Sequence, residues 1–535
     1  MFSWLKRKNK RNTSTAKSKI KFCKYGNNLG YDEVIREKQE ENAIWYNGDS
    51  DILLDYYINA QAHHNANYES FRNAKDYFWA VVGKEPEVKC THSGLPKVII
   101  NTLVNVLGLP DISSSKEITQ DDKIVEVDDI STNDRITKII DDNNFYNTLT
   151  QDQVPYTMVV GDGAYFINID EDLSDYPIIE FIDGRNVEFE RKANRIVAIT
   201  ARKYFMHNKK GYMLTDTRST KWSADETTGK RKRVATIEYH LYELTNEGSD
   251  EVREEVGLEA IPQTKGLENL EFLNIDMMLA VPCIFRYNKE AKRGESFFAG
   301  KLDLFDDLDQ SKSQASNVTR LSTPVDYVPE GLIDYDGAGR PITPNRYDRR
   351  YVTIPKDRDS VGQTSKIETT QPNLNFNQYN ENQLELISDI LSGLMSPATL
   401  GIDLARKDNA TAQREKEKVT LVTRDFLVDQ QTQILKRLFT LVLKVHDFML
   451  DENKVPGEYN ITINYPEYAN PTFESKLQAL VPAFVSGAMS AKQFVGELWG
   501  EALSEEERED EIAKLEQYKG AAEQLDTMFN DYMME

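Results

Sequence analysis

Arg406 and Lys407 stand side by side in ATLGIDLARKDNATAQREKEK (398–418), with Asp403 before them and Asp408 and Asn409 behind. This Gly-, Asp- and Asn-rich loop with its Arg-Lys pair stands just ahead of the chain's longest and most polar helix start. Gly401 gives the turn conformational freedom, and Asp408 or Asn409 can cap a helix that starts near Ala410. A capped surface turn with two solvated cations is the plainer reading of the same residues. A second concentration of charge, Asp303, Asp306, Asp307 and Asp309, falls in SFFAGKLDLFDDLDQSKSQASNVTRL. Those four carboxylates can form a negative wall or an ordinary solvated helix face.

Patterns that would signal catalysis or metal binding are not met. TTGKRKR has Ala224 where a phosphate-binding loop needs its first Gly and Arg231 where Ser or Thr should follow, so no ATP hydrolysis is expected. GDGAYF places Phe166 at the last glycine of a dinucleotide fingerprint. The six histidines, His63, His64, His92, His207, His240 and His446, show no ligand spacing beyond one adjacent pair, which cannot face one ion from a regular element. IDYDGAG (333–339) lacks the spaced third ligand and closing Glu of a calcium loop and reads as a turn. There is no GxSxG. With 88 acidic residues, carboxylate pairs carry no catalytic signal. The expectation is a structural or assembly protein, not an enzyme, with no metal and no cofactor.

The elements that hold these residues follow from composition and period. At 535 residues, 39% hydrophobic and 29% charged, the chain can bury a sizeable core and divide into several regions. A net charge of -23 argues against a general nucleic-acid coat, because neutralising phosphates needs a cationic surface. DNA contact, if present, is local or weak. Cys23, Cys90 and Cys283 have no CxxC spacing, as expected in a reducing compartment. Apolar runs such as LVLKV (441–445) and AVPCIF (280–285) fall short of the roughly 20 residues of a membrane span, so a soluble chain is expected. The first 29 residues carry nine Lys or Arg and no acid, without the apolar core of a signal peptide; they read as a basic arm or a solvated terminus.

Residues 31–107 read as mainly helical, with Pro96 opening one helix and Gly108 and Pro110 closing it. From about 150 to 290 the period becomes two, in AYFINID, PIIEFIDGRNVEFE, RIVAITARKYF and VATIEYHLYEL, which predicts an antiparallel sheet. One hairpin in it carries the basic cluster Lys230 to Arg233 at its tip, read as an exposed charged turn. Phe298, Leu302, Phe305 and Leu308 have the spacing of one apolar helix stripe, with the four aspartates projecting elsewhere. Six prolines between 323 and 375 exclude a long helix there. A helix over 378–395 with Leu384, Ile387, Leu391 and Leu394 on one face precedes the opening loop. After Asn409 about 40 residues run without Pro or Gly, a rod of roughly 60 Å whose start is polar and whose second half is apolar. YNITINY (459–465) alternates as a strand, and the tail from 472 is helical, with eight acids against two bases in EALSEEEREDEIAKLE.

IWYNGDSDILLDYY (44–57), LPKVIINTLVNVLGLPDI (95–112), VVGDGAYFINID (159–170) and above all SPATLGIDLARKDNATAQREKEK (396–418) give the chain its resemblance to the portal proteins of tailed bacteriophages, of the siphovirus kind. The resemblance covers about 30 to 480. It implies an α+β portal fold with a basic N-terminal arm (1–29), a wing of helices plus antiparallel sheet (30–295), stem helix 1 (296–321), a clip (322–376), stem helix 2 (377–395), a tunnel loop (396–410), a long wing helix and strand (411–466) and a helical crown with an acidic tail (467–535). It further implies a ring, usually dodecameric, at one capsid vertex of the virion, assembled in the host cytoplasm. Double-stranded DNA is packaged and ejected through that ring. The implied partners are the terminase large subunit, major capsid and scaffolding proteins and a head–tail adaptor, with no membrane. Under this resemblance Gly401, Asp403, Arg406, Lys407, Asp408 and Asn409 would face DNA, Asp303, Asp306, Asp307 and Asp309 would line the channel, and Tyr335, Arg340, Arg346, Arg349 and Arg350 in the clip would meet partners. A minor capsid or baseplate-like scaffold that never touches DNA is the alternative.

Overall fold

The structure is a computed structural model that describes residues 31–64, 77–82, 90–120, 123–224, 231–245, 252–322, 325–329, 337, 350–354, 368–370, 376–402, 410–451, 455–466, 480–481, 484, 489–499 and 508–515. The architecture is α+β. The chain opens with helices α1 (Tyr31–Asn47), α2 (Ser50–His64), α3 (Phe78–Val82) and α4 (Leu95–Leu107). Pro96 lies in the first turn of α4 and Gly108, at φ 76°, ends it, as the sequence predicts.

Next come β1 (Asp111–Gln120), β2 (Lys123–Asp128), α5 (Ile130–Asp142), α6 (Phe145–Asn147) and α7 (Val154–Val160). The sheet region then runs β3 (Asp162–Asn168), β4 (Ile178–Asp183), β5 (Val187–Lys192), β6 (Arg195–His207), β7 (Lys210–Ala224), β8 (Arg231–Leu244), β9 (Val252–Val256), β10 (Leu270–Phe272), β11 (Ala280–Ile284), β12 (Tyr287–Asn288) and β13 (Arg293–Gly294). The larger sheet has the order β10-β8-β7-β6-β5, with β9 also on β8, and a smaller one the order β11-β3-β4. Every pairing in these two sheets is antiparallel.

The GDG of GDGAYF has a packing role. Gly161 has φ 105°, and a Cβ there would come within 2.8 Å of the Gly294 carbonyl oxygen. Between the two glycines Asp162 is fully buried and takes a two-pronged contact from Arg293, with Nε to Oδ2 and Nη2 to Oδ1 both at 2.8 Å. Gln39 of α1 donates to the same carboxylate at 3.1 Å, and Arg293 reaches on to the Gly184 carbonyl. A buried charge is tolerated when it is paired and its remaining lone pairs are occupied, and both conditions hold here.

The chain then enters α8 (Leu302–Leu321), three short strands β14 (Val325–Pro329), β15 (Arg350–Ile354) and β16 (Glu368–Thr370), α9 (Phe376–Leu391), the 41-residue α10 (Ala410–Leu450) and β17 (Asn460–Asn464). Two helix bounds differ from expectation. The helix expected over 296–321 starts at Leu302, because Gly300 takes φ 71° and residues 296–301 form turns that bury Phe297 and Phe298. The second ends at Leu391, because Gly393 takes φ 74°. Leu394 and Met395 are buried just beyond it.

The second half of α10 is the centre of the main core. Leu435, Leu438, Phe439, Leu441, Val442, Leu443 and Val445 are all fully buried on one broad face of the helix, while Lys436 and Arg437 are exposed on the other. Gln153 and Gln431 exchange reciprocal amide hydrogen bonds inside this core, at 3.2 and 2.6 Å. Arg424 ties α10 to the end of α4 by donating to the Val106 carbonyl at 2.9 Å, and also to that of Pro466. β17 returns to pair antiparallel with β1 across some 350 residues of sequence. In the tail, Ala491–Trp499 and residues 508–515 are helical.

Candidate functional site

The opening loop lies between α9 and α10, and both flanking helices position it. α8 and α9 pack as an antiparallel pair. Lys301, at the start of α8, donates to the carbonyls of Ser392 (2.9 Å) and Asp389 (3.4 Å) at the end of α9, where an ammonium also meets the negative end of the helix dipole. One level along, Asn382 donates to the Ser311 hydroxyl at 3.3 Å. Burial and the neighbouring Arg286 pull the Lys301 ammonium below the usual lysine range.

The far half of this hairpin is little covered by the rest of the chain. Along α9, Asn377, Gln378, Asn380, Glu381, Asn382, Leu384, Glu385, Ser388 and Asp389 are exposed, and burial begins only at Ile390. The small sheet β15-β14-β16 is inserted in the chain between the two helices and so belongs to this far end. β14 and β15 pair in parallel.

At the near end the turn 396–401 is pinned to α10. Ser396 N donates to the Thr420 hydroxyl at 2.9 Å, and Thr399 Oγ1 lies 2.7 Å from the same oxygen. Thr420 is ten residues into α10, so the helix overhangs its pin by about 15 Å before the loop begins. Gly401 sits at φ 68°, the left-handed conformation expected of a glycine that turns the chain. Asp403, Arg406, Lys407, Asp408 and Asn409 lie outside the described residues. So do Tyr335, Arg340, Arg346 and Arg349; Arg350 opens β15.

The four aspartates of α8 do not share one exposed face, and the expectation that all four line a channel is corrected for two of them. Asp309 is fully buried and Asp306 is 3% exposed, because Phe78 and Trp79 and, for Asp309, His92 and Ser93 lie against them. Asp306 accepts the backbone N–H groups of Phe78 (2.6 Å) and Trp79 (3.4 Å). Asp309 accepts from Ser93 N (2.7 Å), the Trp79 indole (3.2 Å) and His92 Nδ1 (2.7 Å). Burial, reinforced by Asp309 and Asp307 and opposed by the two N–H donors, pushes the Asp306 carboxyl up to about 7.

Asp303 and Asp307 are exposed, Asp303 accepting from the Tyr77 hydroxyl at 2.5 Å. Partial burial and Asp303 raise the Asp307 carboxyl above the usual range. α9 supplies a further acidic row, Glu381, Glu385 and Asp389, all exposed at i, i+4 and i+8. That spacing is written in the sequence and is the signal that attention to α8 alone passes over. The acidic surface of the hairpin is therefore Asp303, Asp307, Glu381, Glu385 and Asp389.

Among the described residues no three His, Cys, Asp or Glu side chains are grouped to hold a metal ion. No described helix is long and apolar enough to cross a membrane. No family model and no curated protein matches this chain.

Proposed function

We propose that the chain is a portal-type subunit: a dodecameric ring of it at one capsid vertex passes double-stranded DNA during packaging and ejection. The observation that carries this reading is the α8–α9 hairpin. It leaves an α+β body half uncovered, has a small separate sheet inserted between its helices, and is followed in the chain by the turn 396–401 pinned to α10. That is the order wing, stem, clip, stem, tunnel loop and wing helix of the family whose strings the sequence resembles.

Each part then has a physical task. Leu384 on α9 and Val419 and Val422 on α10 are 46%, 45% and 62% exposed, and a neighbouring subunit in a head-to-tail ring covers them. The acids of the hairpin face the bore and weaken phosphate contacts, so a moving duplex meets few adhesive points. Arg406 and Lys407 supply the exception, a ring of cations close to passing phosphates. The clip docks the terminase large subunit and later the head–tail adaptor, while the wing meets major capsid and scaffolding proteins. The chain itself does no covalent chemistry and needs no cofactor.

Replacing Arg406 and Lys407 by Glu tests the loop assignment. Rings of unchanged mass with a lowered yield of DNA-filled heads are expected. Normal filled heads from that variant would remove the loop from DNA's path.

A further inference from the structure

The basic hairpin between β7 and β8 is not used by the conduit reading. Its strands outrun their sheet. β6 follows β7 only as far as the pair Ala198 and Ser219, and β10 follows β8 only to the pair Phe272 and Ala235. Beyond these points Lys221↔Val234, Trp222↔Arg233, Ser223↔Lys232 and Ala224↔Arg231 pair only with each other among the described residues. The result is a two-stranded ribbon that extends four ladder pairs, roughly 13 Å, past the sheet.

Residues opposed in an antiparallel pair share a face, and successive pairs alternate between faces. One face of the ribbon therefore carries Trp222, Arg233 and Arg231, and the other Lys221 and Lys232. Trp222 is 67% exposed, with the Arg233 guanidinium 6.0 Å from its ring centre. Arg233 is held there by a 2.9 Å hydrogen bond to the Thr220 hydroxyl. On the other face Lys221 already pairs with Glu238 and Glu271, whereas Lys232 donates to the neutral amide of Asn274, at 2.9 Å, with no carboxylate partner among the described residues. From Lys221 to Arg233 the chain has five bases and two acids, within a protein of net charge -23.

We infer that this ribbon is a DNA-binding arm that enters a groove of duplex DNA, a contact separate from the channel and independent of ring formation. A flat basic patch meets one row of phosphates. A ribbon with cations on both faces meets the two walls of a groove at once, and the major groove, about 12 Å wide, admits two strands. Trp222, exposed on the arginine face, lies against sugar and base edges there. Because the rest of the surface is acidic, the affinity is that of non-specific binding, on the order of 10⁻⁵ M at physiological salt and tighter at low salt.

The test is fluorescence anisotropy of a labelled duplex, and of its single strand, with the full chain across a salt series. The comparison is with Arg231→Glu/Arg233→Glu, Lys232→Glu and Trp222→Ala, all surface changes whose folding is checked by circular dichroism. The inference expects the duplex to bind better than the single strand and the double arginine variant to lose at least about tenfold. It also expects Lys232→Glu, on the opposite face, to lower the salt slope by about one. It is overturned by duplex binding that none of the variants changes, by no duplex binding at low salt, or by preferred single-strand binding that only Trp222→Ala abolishes. Binding of polyglutamate in place of the duplex would also overturn it, by making the arm a site for acidic protein.

Discussion

Asp162 and Asp306 are both buried aspartates, and they are stabilised in different ways. Asp162, in β3, faces Arg293 in a two-pronged ion pair with Gln39 and the Gly294 N–H filling its remaining positions. Asp306, on α8, has among the described residues two backbone N–H groups as donors and two further carboxylates nearby. The first junction is neutral overall and welds α1, β3 and β13 into one body. The second leaves a carboxyl in a site that prefers it protonated. The body around Asp162 is therefore built to stay closed within one chain, whereas the α8–α9 hairpin has an exposed outer half and is attached through a contact whose strength depends on pH.

The largest effect expected is at the welded junction. Arg293→Ala leaves Asp162 charged, buried and unpaired, and should cost about 3–5 kcal/mol in denaturant unfolding. A loss below about 1 kcal/mol would mean that this body does not depend on the pair.

Next is Asp306. Its folded pKa of about 7 lies above the ordinary value of 3.8. Its ionised form is thus a penalty on the folded state that is fully present above pH 7, shrinks as the pH falls through 7, and is gone below about 4. Asp306→Asn keeps an oxygen for Phe78 N and removes the charge. It should raise stability at pH 8 by at most about 4 kcal/mol, at about 1.4 kcal/mol per pKa unit, and much less at pH 5. Equal effects at the two pH values, or a destabilised variant at pH 8, would show that the carboxylate is well accommodated.

The smallest effect on the single chain is expected at the exposed apolar residues of α9 and α10. Leu384→Ser with Val422→Ser should change monomer stability by no more than about 0.5 kcal/mol, since both side chains face solvent. The same pair should reduce ring formation in mass photometry. Unfolding of the monomer by these changes would mean that the hairpin is part of the closed body.

Much of the scaffold could be read from residue order. The switch from period two to a long unbroken helical run marks the sheet and α10, Pro96 and Gly108 bound α4, and YNITINY becomes β17. What escaped depends on distant partners or on a local break. Nothing in LDLFDDLDQ tells that Asp306 and Asp309 turn inward, because the N–H groups, indole and imidazole that receive them come from residues 77–93, more than 200 positions away. Phe298 matched the helical spacing of Leu302 and Phe305, so the stripe continued backward across Gly300, whose positive φ stops the helix. The carboxylate row Glu381, Glu385 and Asp389 was legible as i, i+4 spacing, but a row shows its exposure only when the neighbours of α9 are known.

The central claim is that copies of this chain close into a ring with a bore that admits a DNA duplex. Electron microscopy of the purified full-length protein, with mass photometry on the same sample, measures that directly. The account predicts closed rings, dodecameric or close to it, with an open central channel lined by the α8–α9 hairpins. A compact oligomer without a channel, or a ring whose bore is too narrow for duplex DNA, would contradict it.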